Sequence, residues 1–71
     1  MTIIDLMFAQ RLKMLRTERH LTQADMAKLF MITTRSYQYY EAGEREPTIE
    51  MLCKFADFFD VSLDYLCGRE R

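Results

Sequence analysis

The sequence predicts an all-α fold, a compact bundle of five short helices in a single domain spanning residues 1–71. Apolar residues make up 49% of the chain, whereas only two glycines and one proline interrupt it, a composition that favours helices. Apolar side chains recur three, four and seven positions apart, which is the spacing of one helix face. A threonine or serine precedes each expected helix at the position that caps a helix N-terminus.

The first helix is expected to follow Thr2, with Asp5 three residues later as its capping-box partner. An apolar stripe then runs through Phe8, Leu12 and Leu15 at helical spacing. Basic residues collect towards the C-terminal end of this segment, where positive charge suits the helix dipole. These features predict a first helix with one apolar face.

Two further short helices are expected between residues 22 and 43. Thr22 is the N-cap of the second helix, and Asp25 occupies the capping-box position three residues later. Thr33 is the N-cap of the third helix, which spans about residues 34–42 and ends at Gly43, a residue suited to the position after a helix. Two helices of this length with a connection of three or four residues match a helix-turn-helix.

The second half of the chain predicts two more helices after a loop. Pro47 ends the loop and bars helix continuation, and Thr48 then caps a fourth helix with a broad apolar face. Ser62 caps a short fifth helix, which ends at Gly68. The apolar residues of the fourth helix are Met51, Leu52, Phe55, Ala56, Phe58 and Phe59.

The net charge of −1 argues against a protein that binds nucleic acid by bulk electrostatic attraction. The distribution of charge along the chain is more informative. Residues 1–43 carry six basic and four acidic side chains, whereas residues 44–71 carry four basic and seven acidic ones. The two halves therefore have charges of +2 and −3. If DNA is the partner, the first half is expected to face it and the second to face away.

Neither a metal site nor a catalytic site is expected. Cys53 and Cys67 stand in apolar helical contexts without the spacing of metal ligands, and His20 is the one histidine of the chain. These three residues form no recognisable catalytic triad, so we predict a protein that is not an enzyme and has no cofactor, with reduced, partly buried thiols. No apolar run approaches the length of a membrane span, and the N-terminus lacks the features of a secretory signal.

Four segments together resemble the Cro/CI-type (XRE-type) helix-turn-helix DNA-binding domain of phage repressors and bacterial transcriptional regulators. They are RLKMLR at 11–16, LTQADMAKLF at 21–30, YEAGEREPTIEML at 40–52 and VSLDYLCG at 61–68. The resemblance covers about residues 8–68. It implies a lambda-repressor-like bundle in which the second and third helices form the helix-turn-helix.

The resemblance also implies a role for particular positions. Gln23 looks like the residue that reaches a DNA phosphate at the start of the second helix. The positions that match the exposed side of the recognition helix are Thr33, Thr34, Arg35, Ser36, Gln38 and Tyr39. Chemistry supports this reading, because Arg35 can offer two N–H groups to a guanine edge, whereas polar groups such as Ser36 suit phosphates. Arg45 is expected to add a contact from the loop. The alternative for the exposed face of the third helix is that it is merely solvated.

Two structural roles follow from the same resemblance. Arg16 and Glu41 resemble a pair that ties the first helix to the end of the recognition helix; two separate surface charges are the alternative. The last helix, with Leu63, Tyr65 and Leu66, resembles the family's usual dimer contact. The alternative for these apolar residues is that they simply close the core.

The chain departs from the family pattern at several positions. Met31 stands in the turn where glycine is common, so the turn must form without a residue that accepts positive φ freely. Tyr39 stands where arginine is frequent, and Glu44 and Glu46 flank Arg45 where basic residues are frequent. These changes weaken the sequence-independent attraction to phosphates.

The sequence therefore predicts a cytoplasmic, sequence-specific regulator of transcription that binds double-stranded DNA. We expect a homodimeric repressor that reads a palindromic operator through the major groove, without a membrane or small-molecule partner. Since the chain is expected to hold no effector-sensing domain, its regulation would depend on concentration, proteolysis or a protein partner. The alternative hypothesis is an antitoxin-like protein-interaction module with secondary DNA binding.

Overall fold

The computed structural model describes the backbone of residues 3–69 and the side chains of residues 6–69, and it confirms the all-α bundle. The described residues form five helices: α1 Ile3–Glu18, α2 Gln23–Leu29, α3 Thr34–Glu41, α4 Ile49–Phe59 and α5 Leu63–Leu66. The predicted cap at Thr2 and the side chain of its partner Asp5 lie outside the described part. None of the helices within residues 3–69 is long and apolar enough to cross a membrane.

The starts of α2 to α5 are fixed by the predicted cap residues. Thr22, Thr33, Thr48 and Ser62 each accept a hydrogen bond from the backbone N–H three residues later. At α2 the capping box is complete, because the Asp25 carboxylate also accepts the Thr22 N–H at 2.9 Å. Each cap satisfies backbone donors that a helix N-terminus otherwise leaves without a partner.

Every helix ends in the same way, with a residue of positive φ directly after its last turn. In each case the next N–H bonds to the carbonyl five residues earlier, at 2.8 to 3.2 Å, which is the Schellman arrangement. Between residues 3 and 69, the five residues of positive φ are His20, Met31, Gly43, Asp60 and Gly68. Met31 has a φ of 58° although it is not a glycine, so the strain expected in this turn is present.

The core is centred on Phe55 of α4, which is completely buried. Four aromatic rings surround it at centroid distances of 4.6 to 6.2 Å, one from α1, one following α2 and two from α3. These rings belong to Phe8, Phe30, Tyr37 and Tyr40. Since each pair is tilted or edge-on, the cluster adds aromatic attraction to the burial of apolar surface. Helix α3 is thereby held against α1, α2 and α4.

The fifth helix closes the bundle against α1. Leu66 is completely buried, so its side chain belongs to the core, which is the alternative that the sequence left open for this residue. Leu63 is 43% exposed, and Tyr65 is half-buried under Arg11, whose guanidinium lies 4.2 Å from the ring centroid. Arg11 also donates a hydrogen bond of 2.5 Å to the Tyr65 carbonyl oxygen. Leu63 and Asp64 are the exposed residues of α5.

Candidate nucleic-acid interface

Helix α3, which was predicted to be the recognition helix, divides into a buried side and an exposed side. Tyr37 and Tyr40 lie in the core, with 0% and 8% of their surfaces exposed. Because a helix turns by 100° per residue, Thr34, Arg35 and Gln38 then project away from the core, and all three are exposed. The structure therefore presents these three predicted contact residues together on one outer surface.

The first turn of α3 places two of the predicted residues in a small hydroxyl cluster. Thr33 accepts the Ser36 N–H at 3.0 Å, and its hydroxyl donates to the Ser36 hydroxyl at 2.9 Å. Thr33 is exposed, whereas Ser36 is half-buried. These groups stabilise the start of the helix and still face solvent, so they remain suited to a phosphate.

Tyr39 lies between two arginines at the other end of the exposed surface. The Arg35 Nε–H donates to the Tyr39 hydroxyl at 2.9 Å, and the Arg35 guanidinium carbon lies 5.8 Å from the ring centroid. The Arg45 guanidinium carbon lies 4.9 Å from the same centroid. Tyr39 was expected to be exposed, but it is half-buried. The three residues, which we call the Arg–Tyr–Arg cluster, join the helix to the loop that follows it.

Glu41, at the end of α3, accepts hydrogen bonds from three side chains. Arg16 of α1 forms a bidentate ion pair with it, at 2.6 Å from Nε and 3.1 Å from Nη2. The Tyr37 hydroxyl and the Gln23 side-chain amide, the latter at 3.1 Å, also donate to the carboxylate. Arg16 further donates to the Leu21 carbonyl oxygen at 2.8 Å. The structure thus brings Arg16 and Glu41 together and adds partners that the sequence analysis missed.

The environment of this network shifts three pKa values. Burial raises the pKa of the Glu41 carboxyl, but hydrogen bonds from Arg16, Tyr37 and Gln23 outweigh it and leave the pKa below its usual value. The hydrogen bond to Glu41 raises the pKa of Arg16 despite the opposing effect of burial. Burial, together with the bond to Glu41, raises the pKa of Tyr37. Around neutral pH the network is therefore an ionised pair with a neutral phenol.

Gln23 connects this network to the exposed surface. Its amide nitrogen donates to Glu41, and its oxygen accepts a hydrogen bond of 3.2 Å from the side-chain amide of Gln38. Each amide nitrogen carries two hydrogens, so Gln23 and Gln38 each keep one N–H for another partner. The first residue of α2 is thus fixed beside the middle of α3.

A family model described as helix-turn-helix matches residues 12–66, which covers most of the chain. The chain belongs to the helix-turn-helix family. This confirms the resemblance drawn from the four sequence segments and agrees with the expectation that the domain is not an enzyme. Within the matched residues, α2 and α3 are the two short helices joined by the turn at residues 30–33.

The helix-turn-helix domain is also similar to several bacterial and phage regulators. It is 45% identical over 64 residues to an uncharacterized HTH-type transcriptional regulator, YqaE, of Bacillus subtilis, with 90% of this chain and 55% of the relative covered. It is 47% identical over 60 residues to RstR, the cryptic phage CTXphi transcriptional repressor of Vibrio cholerae, with 84% and 54% covered. For the B. subtilis HTH-type transcriptional regulator AnsR the identity is 39% over 61 residues, with 86% and 53% covered. The chain therefore spans about half the length of these relatives.

Proposed function

We propose that this helix-turn-helix domain is a sequence-specific, double-stranded DNA-binding regulator of transcription that acts as a repressor. The observation that carries the proposal is the division of α3: Tyr37 and Tyr40 fix one side in the core, whereas Thr34, Arg35 and Gln38 are exposed on the other. An exposed polar face on a rigidly packed helix is the arrangement that major-groove reading requires.

Base reading in this proposal depends on the middle of α3. Arg35 offers parallel N–H groups to the O6 and N7 atoms of a guanine, which distinguishes that base from the other three. Gln38 provides both a donor and an acceptor for an adenine edge, and Thr34 provides a hydroxyl and a methyl group. Tyr39 lies beside Arg35 in the same interface.

Backbone contacts in this proposal come from residues around that reading surface. Gln23, fixed between Glu41 and Gln38, directs its remaining N–H to a phosphate at one border. Thr33 and Ser36 provide hydroxyl groups at the start of α3, and Arg45 provides a charge at its end. Such contacts set the position of the helix on the duplex without reading sequence.

Two subunits are proposed to bind together. A two-fold dimer places two recognition helices about 34 Å apart, one turn of the duplex, and so reads a palindromic operator. The exposed Leu63 and the half-buried Tyr65 of α5 provide apolar surface for such a contact. The similarity to the CTXphi repressor supports repression, in which the bound dimer blocks access to a promoter.

Selection of bound duplexes from a random pool, at stated salt concentrations, tests the proposal directly. We expect enrichment of two inverted half-sites with a fixed spacing and a guanine at the position that Arg35 contacts. Enrichment of a single half-site would contradict the dimer but not DNA reading. A pool that stays random after repeated rounds would contradict sequence-specific DNA binding altogether.

A further inference from the structure

The side chains of the Arg–Tyr–Arg cluster contact one another in the free protein, without a bound partner. Tyr39 holds Arg35 by a hydrogen bond to its hydroxyl and has both Arg35 and Arg45 over its ring. We infer that Tyr39 is a positioning residue, which fixes Arg35 for base reading and Arg45 for phosphate contact before DNA arrives. This inference rests on the proposed function, because it concerns how the same interface reads DNA.

The hydrogen bond determines which end of Arg35 faces outward. Arg35 donates its Nε–H to the Tyr39 hydroxyl at 2.9 Å, so this bond does not use the four N–H groups on Nη1 and Nη2. The two terminal nitrogens form the fork that matches the O6 and N7 atoms of a guanine. Tyr39 therefore selects an end-on presentation of the guanidinium to the base.

Prior ordering also reduces the loss of freedom on binding. A free arginine side chain has several rotatable bonds, and fixing them at the moment of binding opposes association. Residues 35 and 39 are one helical turn apart, so their side chains meet on the same side of α3. The rigid phenol thus restrains the flexible arginine while both are still in the free protein.

Arg45 joins the cluster from the loop and brings a second positive charge to the same ring. Its guanidinium carbon lies 4.9 Å from the Tyr39 centroid, within the range of a cation–π interaction. Within residues 6–69, the ion pairs are Arg16 with Glu41 and Lys54 with Glu50, so neither arginine of the cluster is neutralised by a carboxylate. Both charges remain for an anionic partner, and the ring keeps Arg45 next to the reading surface.

The cluster also explains how the chain functions with tyrosine at position 39. A third arginine there would add repulsion between neighbouring guanidinium groups. Tyrosine instead provides an acceptor for one arginine and a ring for both. The residue acts through Arg35 and Arg45, and it needs no base contact of its own.

A double-mutant cycle on the site selected from the random pool tests the inference. The variants are Tyr39→Phe, Arg35→Ala and the pair, with affinity measured at low salt so that all four proteins bind. We expect Tyr39→Phe to weaken binding about 5- to 10-fold in the presence of Arg35, the scale of one ordinary intramolecular hydrogen bond. In the Arg35→Ala background it is expected to have no further effect.

Two further measurements separate the ring from the hydroxyl. Tyr39→Phe keeps the ring, so the dependence of affinity on salt should stay unchanged. Tyr39→Leu removes the ring, so the slope of log K against log salt should become less negative by about 0.9, the value of one phosphate contact. In the free protein, the Arg35 Nε–H should exchange more slowly with water than in Tyr39→Phe, as NMR can measure. Thermal unfolding of each variant controls for folding.

The outcomes distinguish this inference from the proposed function. An effect of Tyr39→Phe that persists at full size in the Arg35→Ala background means that Tyr39 contacts DNA itself, and overturns positioning. Positioning is also overturned if Tyr39→Phe leaves affinity unchanged, because the hydroxyl then contributes nothing to binding. In both cases sequence-specific binding by the wild type still stands. A wild type that selects no sequence at all overturns both proposals together.

Discussion

Arg16 of α1 and Glu41 of α3 are joined by two hydrogen bonds across 25 positions of the chain, with 11% and 4% of their side chains exposed. The pair holds the C-terminal end of the recognition helix against the first helix. It also determines the place of Gln23, which donates to the same carboxylate. Structural stability and the geometry of the proposed DNA-contacting surface thus depend on one ion pair.

Removal of Glu41 should strongly destabilise the fold. In Glu41→Ala, Arg16 keeps its positive charge in a mostly buried position, and loss of one member of such a pair costs about 3 kcal/mol. For a chain of 71 residues this is a large part of the total stability. Urea unfolding monitored by circular dichroism measures the change.

The pair formed by Glu50 and Lys54 provides a matched control for that substitution. It joins oppositely charged side chains at 3.3 Å, but they are 79% and 53% exposed. Glu50→Ala should therefore change stability by about 0.5 kcal/mol or less. Equal losses for Glu41→Ala and Glu50→Ala would show that the Arg16–Glu41 pair has no special importance.

Stability should fall in acid because the pKa of Glu41 lies below its usual value in the folded protein. A carboxyl of lowered pKa contributes stability that is complete above the unfolded value, about 4.3, and is lost as pH falls through the folded value. Asp25, whose pKa is lowered by its bonds to the backbone N–H and hydroxyl of Thr22, acts in the same direction.

Urea midpoints between pH 7 and pH 2.5 measure this dependence. Glu41→Gln should be less stable than the wild type at pH 7, and the difference should shrink as pH falls below about 4. Asp25→Asn isolates the contribution of the capping carboxylate. A constant difference between the wild type and Glu41→Gln over the whole range would contradict the lowered pKa.

Substitution of Met31 by glycine should stabilise the domain. Met31 has a φ of 58° and is 92% exposed, so its backbone is strained while its side chain buries almost nothing. Relief of the strain outweighs the greater freedom of glycine in the unfolded chain by about 0.5 to 1 kcal/mol. Thermal unfolding of Met31→Gly measures the gain, and Met31→Ala, which keeps the strain, should resemble the wild type. A loss of stability in Met31→Gly would mean that the side chain makes a stabilising contact.

Arg35→Ala should remove selection of the guanine without unfolding the domain. The side chain is exposed, so stability should change by less than about 0.5 kcal/mol. Loss of a bidentate guanine contact should reduce discrimination at that base pair by about 1 to 3 kcal/mol. A footprinting titration on the selected site and on a variant lacking the guanine measures this.

Lys54→Ala provides the control for loss of one positive charge. Lys54 lies on α4, is half exposed and pairs only with the exposed Glu50 among the described carboxylates. Its removal should leave discrimination between the two sites unchanged. If Arg35→Ala behaves like Lys54→Ala in the titration, α3 is not the reading helix.

Local sequence determined where helices α2 to α5 begin. Thr22, Thr33, Thr48 and Ser62 each bond to a backbone group three residues away, so the signal and its partner lie in one short segment. The same holds for apolar spacing, which correctly divided α3 into buried tyrosines and an exposed polar side. Fold class and the composition of the candidate reading surface were therefore predictable from the chain alone.

Partners distant in sequence were decided only by the packed structure. Gln23 bonds to residues 15 and 18 positions away, and no local pattern specifies such pairs. Leu66 has the same apolar character in a core as at a dimer contact, and only the packing of α5 on α1 and α4 shows that it is buried. Tyr39 similarly reads as an exposed aromatic residue until the loop brings Arg45 over its ring. Helix caps and apolar periodicity act within a few residues, so the sequence by itself determined the helices. Side-chain networks arise where helices meet, so only the tertiary structure decided which side chains bond to one another.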